Sequence, residues 1–115
     1  MSPDALAEFI RLFNHQKYFE SHETLEKLWK ISQPPDRGFY QGLIQSAVSL
    51  HHAMNYNARG ARYECDRAVE KLSPFFPSYK GMELESFSRN LSRYVENPVG
   101  EPPALKPVST KSCKT

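Results

Sequence analysis

Leu6, Phe9, Ile10 and Phe13 recur at intervals of three and four residues. That spacing gathers side chains on one face of a helix. It predicts a first helix over residues 3–15, with Ser2 as cap, Pro3 at the first helical position and Asp4 near the positive end. Residues 14–17 read as a tight connection. A second helix follows over residues 18–31, with Tyr18, His22, Leu25, Glu26 and Trp29 near one face. Pro34 and Pro35 close it, because neither donates a backbone N–H. A third helix begins at Asp36 or Gly38 and reaches about Tyr56. Its apolar residues Phe39, Leu43, Ile44, Ala47, Val48 and Leu50 extend around much of the circumference, which makes it the most central. Gly42 within it costs about 1 kcal/mol against Ala and implies a close helix crossing.

The fourth helix runs from Asn57 or Ala58 to Leu72, with Asn57 as cap. Ala61, Cys65, Ala68, Val69 and Leu72 share its buried face, and Ser73 and Pro74 stop it. A last helix over residues 82–96 turns Leu84, Phe87, Leu91, Tyr94 and Val95 inward. Nothing reads as a strand system. The fold class is therefore all-α: a compact bundle of about five helices forming a single domain over residues 1–96. Residues 97–115, rich in Pro and Lys without periodicity, read as an extended or disordered tail. A shift of 43 positions overlays the first helical hairpin on the second, placing His22 on Cys65 and Glu26 on Val69. Such pairing suggests a short helical-repeat-like arrangement.

Charge narrows the function classes. Lys and Arg total 15 against 13 Asp and Glu, and the excess lies entirely after residue 100. A balanced domain argues against a basic footprint for nucleic acid. No apolar run is long enough to span a membrane. Early acidic residues and no cleavage-like segment argue against export, so the expected location is cytoplasmic. Cys65 and Cys113 make neither a disulfide framework nor a zinc knuckle. Cys65 sits in an apolar stripe and reads as core. Phe75, Phe76 and Tyr79 form an aromatic surface that a second copy would cover, giving a homodimer.

One constellation carries possible chemistry. His22 and Glu26 are four apart, one turn above each other. On the third helix Gln41, Gln45 and His52 fall within one narrow arc. If these helices pack antiparallel, the two stripes meet. In one reading His22, Glu26 and His52 hold a divalent metal such as zinc, Gln45 orients a substrate oxygen, and Glu23 moves a proton in metal-assisted hydrolysis. In the other, the same residues form a satisfied buried network inside a non-enzymatic helical module that binds a peptide or helix. The run His22-Glu23-Thr24-Leu25-Glu26 lacks the second histidine of the two-histidine protease helix, so peptide hydrolysis has no local support. His51 points about 100 degrees from His52 and reads as a surface or packing residue. A small-molecule or protein partner stays open.

The stretch NHQKYFESHETLEKLW, followed by FYQGLIQSAVSLHH and then Asn57, Gly60 and Ala61, resembles the DUF309 family over residues 5–75. The resemblance implies a compact all-helical fold, and some members are described as metal-dependent hydrolases by prediction. It implies signature positions at His22, Glu23, Glu26, Trp29, Gln41, Gly42, Gln45 and His52. Tyr56 departs from the family, which often carries glycine before the asparagine.

Overall fold

The first helix begins one residue after Asp4, whose carboxylate accepts the Leu6 N–H at 3.0 Å. The computed structural model describes residues 4–108. The expectations at Ser2, Pro3 and Cys113 lie outside those residues. Five helices follow in order: α1 (Ala5–Asn14), α2 (Tyr18–Ile31), α3 (Asp36–Met54), α4 (Ala58–Leu72) and α5 (Glu85–Glu96). Each matches an apolar stripe in the sequence, and the protein is an all-α bundle. No helix among the described residues is long and apolar enough to cross a membrane.

Helix α3 is the centre of the bundle. It packs on α2 and, most extensively, on α4. The α3–α4 crossing is close because both faces are small. Gly42, Ser46 and Ser49 face it from α3, and Ala61, Cys65 and Ala68 are buried on α4. A Cβ on Gly42 would stand 2.7 Å from the buried Leu72 side chain, so only glycine fits. The Ser46 hydroxyl donates to the Gly42 carbonyl at 2.9 Å, and the Ser49 hydroxyl donates to the Ala61 carbonyl at 2.7 Å. Both buried hydroxyls are thus satisfied without polar cost.

Two expectations need correction. The last helix starts at Glu85, not residue 82, and Met82–Glu83 instead forms a strand, β2. It pairs antiparallel with β1 (Ser78–Tyr79) across Lys80 and Gly81, both at positive φ. The hairpin is too short for alternation to reveal it. Its Tyr79 ring packs edge-on against Phe39, with 4.9 Å between ring centres, and tilted against Phe75 at 4.5 Å. The aromatic surface read from Phe75, Phe76 and Tyr79 is therefore half-buried against this chain's own core. Tyr79 also donates to Asp36 Oδ1 at 2.6 Å, and Lys80 pairs with Asp36 Oδ2 at 3.3 Å. These bonds pin the hairpin to the start of α3.

After α5 the chain is extended, as its prolines require. Yet Leu105 is 2% exposed and joins the core, held by the Asn14 side chain at 2.8 Å from both its N–H and its carbonyl. A lone leucine among prolines leaves no periodic trace in sequence.

Candidate functional site on the α2–α3 face

Two turns of the same shape set the direction of every candidate residue. The chain leaves α1 through Gln16 at φ 63° and leaves α3 through Tyr56 at φ 60°. In the first, Lys17 N–H reaches the Leu12 carbonyl at 2.9 Å; in the second, Asn57 N–H reaches the His52 carbonyl at 2.9 Å. These are paired C-terminal caps closed by a left-handed residue. They relate the two hairpins by 40 positions, where the sequence suggested 43. In the true register Ser21 falls on Ala61 and Leu25 on Cys65, and all four are buried. His22 falls on Arg62 and Glu26 on Asp66, an ion pair at the surface with 3.5 Å between charges.

The face that carries His22 and Glu26 is thus the shoulder of α2, not its core stripe. Both residues are half-buried, and Glu23 is exposed. The histidine hydrogen bonds among the described residues are those of His15, His51 and His52, so His22 is bonded neither to Glu26 nor to Gln45.

His52 turns towards α4. Asn57 Nδ2 donates to its Nδ1 at 3.2 Å. Gly60 makes room, since a Cβ there would lie 3.0 Å from the ring. Across the α2–α3 face stands His51 instead. The Phe19 ring lies 6.1 Å from His22 and 6.0 Å from His51, bridging the two imidazoles. Phe19 is 54% exposed. Among the described residues, no three His, Cys, Asp or Glu side chains come close enough to share an ion. The His22, Glu26 and His52 set is therefore not assembled as a three-ligand centre.

Gln45 and Trp29 contribute a different feature. Gln45 Oε1 and Trp29 Nε1 are buried without a hydrogen-bond partner. Each such group costs about 1–3 kcal/mol unless a partner or water reaches it. Trp29 is held from its other side by Arg37, whose guanidinium lies 4.2 Å from the ring centre and donates to the Trp29 carbonyl at 3.1 Å. Gln41 stands apart from Gln45, in an open groove of about 520 Å³ with Arg37, Lys71 and Phe75. None of His22, Glu23, Glu26, Gln45 or His52 lines that groove or the larger one beside α5.

Sequence reasoning missed Phe19 and His51. Phe19 follows Tyr18 directly and so falls beside the apolar stripe, and His51 points about 100 degrees from His52, which reads as a surface or packing position. An aromatic residue one turn before His22 was the available signal.

The site and fold define a small helical-hairpin domain with a polar and aromatic shoulder on α2 and α3. Residues 6–63, spanning α1, α2, α3 and the start of α4, match the DUF309 family, described as a domain of unknown function, and the chain belongs to that family. Over 64 residues it is 39% identical to the uncharacterized protein YpuF of Bacillus subtilis (strain 168). That match covers 54% of this chain and 37% of the relative, so the chain spans little more than a third of that protein.

Proposed function

We propose that the chain is a non-enzymatic interaction module that docks a protein segment on the α2–α3 shoulder. The observation that carries this reading is the exposed Phe19 ring set between two imidazoles on a rigid helix pair. Exposed aromatics on rigid scaffolds anchor interfaces because they bury much area at little entropic cost. The occupant is a peptide or amphipathic helix carrying an apolar anchor for Phe19. The reading takes the protein as cytoplasmic. Photo-cross-linking from position 19 in the protein's own cells tests it, with position 63 as control, because Tyr63 is 57% exposed and lies on α4, outside the α2–α3 pair. A discrete protein adduct is expected from position 19 and not from 63.

Metal-dependent hydrolysis is the second reading, favoured by the one-turn His22/Glu26 spacing on α2. It needs His52 to leave Asn57, or a different third ligand. Metal analysis of untagged protein, repeated with His22→Ala and His52→Ala, tests it. Stoichiometric zinc lost in both variants would support a site that uses both histidines.

A further inference from the structure

Residues 104–108 are bound as a separate peptide would be. The Asn14 carboxamide pairs with both backbone groups of Leu105 at 2.8 Å. Glu83 N–H donates to the Lys106 carbonyl at 3.0 Å, and Val108 N–H donates to the Gly81 carbonyl at 2.9 Å. Met82 pairs antiparallel with Pro107, so the segment extends the β1–β2 hairpin by one strand. Leu105 is the anchor, 2% exposed. Main-chain bonds plus one side-chain socket are the chemistry of strand addition.

The link that holds this strap in place is weakly attached. Residues 97–101 are exposed, and Gly100 turns at φ 80°. Pro98, Pro102 and Pro103 each fix φ and donate nothing, which leaves few residues able to reverse the chain. Beneath the link is an open groove of about 590 Å³, bounded by Phe87, Asn90 and Tyr94 on α5 and by Pro102 and Pro103. The link borders this groove, and its first five residues, 97–101, are exposed before the chain becomes half-buried at Pro102.

We propose that this strap exchanges between two copies: residues 104–108 of one chain fill the Asn14–β2 site of another, and reciprocally. The contacts in the exchanged pair are those already made within one chain, so no new interface is needed. Only the high effective concentration of the tethered strap favours the closed monomer. Stiff, short connections shift that balance towards exchange. This proposal is independent of the α2–α3 shoulder.

Shortening the link tests it. Deletion of residues 99–101 from the full chain prevents closure within one copy while leaving the strap and its site intact. Light scattering should give a dimer at micromolar concentration for the shortened chain, whereas wild type gains mass only towards millimolar. Adding Asn14→Ala should return the shortened chain to a monomer. A folded shortened chain that stays monomeric, or a dimer indifferent to Asn14→Ala, overturns the proposal. Hydrogen exchange on wild type gives a second measurement that needs no variant. The Leu105 and Val108 amides should exchange at least about tenfold faster than those of buried α3 residues such as Leu43, because the strap opens without global unfolding. Equal protection in strap and core also overturns it.

Discussion

Asn57 binds the ring of His52 and the start of α4 with one side chain: Nδ2 donates to His52 Nδ1 at 3.2 Å, and Oδ1 accepts the Gly60 N–H at 3.0 Å. Both amide atoms are used, so the cap fixes the orientation of the histidine. A methyl group on Gly60 would crowd Asn57 Nδ2 at 2.6 Å and the imidazole at 3.0 Å. Gly60→Ala should therefore lower stability despite its better helix propensity. Asn57→Ala should cost about 1 kcal/mol through the lost cap. Urea unfolding of both variants checks this; an unchanged midpoint for Gly60→Ala would show that His52 is not held there.

At the α3–α4 crossing, Gly42→Ala should destabilise by about 1–3 kcal/mol, the range for overpacking a filled interior. The Leu72 side chain that would have to yield is fully buried. Thermal unfolding reads the effect, and a stabilised Ala variant would refute the close crossing.

Tyr56 is 97% exposed in a left-handed conformation at φ 60°. A non-glycine residue pays about 1–2 kcal/mol there, and its side chain returns no burial. Tyr56→Gly should raise stability, by about 1 kcal/mol after the greater freedom of glycine in the unfolded chain is counted. The same left-handed turn forms with tyrosine as in the matching turn at Gln16, because backbone bonds from both sides close it.

These particulars show what the sequence disclosed and where it stopped. All five helices were legible because each carries an apolar stripe at helical spacing, and Gly42 announced the crossing it permits. The turning of α2 was not legible. Gln16 and Tyr56 give no compositional sign of a left-handed cap, so the two hairpins were aligned through Asn14 and Asn57 instead. That three-residue difference set His22 on Cys65 instead of Arg62, while the sharing of one face with Tyr18, Leu25 and Trp29 made a shoulder look like core. His52 was misplaced for a related reason: an arc of roughly 40 degrees on an ideal helix says nothing about which neighbour a side chain finds. Leu105 left no trace because its burial depends on Asn14 and the core, far away in sequence, and the Met82–Glu83 strand left none because two residues are too few to show alternation.

The Asp36 carboxyl is held below its usual range, first by the hydrogen bond from Tyr79 and then by Lys80. A depressed folded pKa contributes stability that is complete above the unfolded value and is lost as pH falls through the folded one. The protein should therefore lose the hairpin's anchor on acidification below the ordinary aspartate range. Tyr79→Phe removes the principal cause, so its unfolding midpoint should vary less with pH on the acid side. Parallel acid-limb slopes for the two proteins would show that the pair adds nothing.

The account rests most on Phe19 as anchor of a docking surface, and the dissociation constant of the partner trapped from position 19 tests that directly. Measured with the purified partner by calorimetry, Phe19→Glu should weaken binding at least about 30-fold, the loss expected of a central aromatic anchor. His52→Ala should leave it nearly unchanged, since His52 faces α4. Wild-type affinity in Phe19→Glu, or a loss in His52→Ala as great as that in Phe19→Glu, would contradict the account.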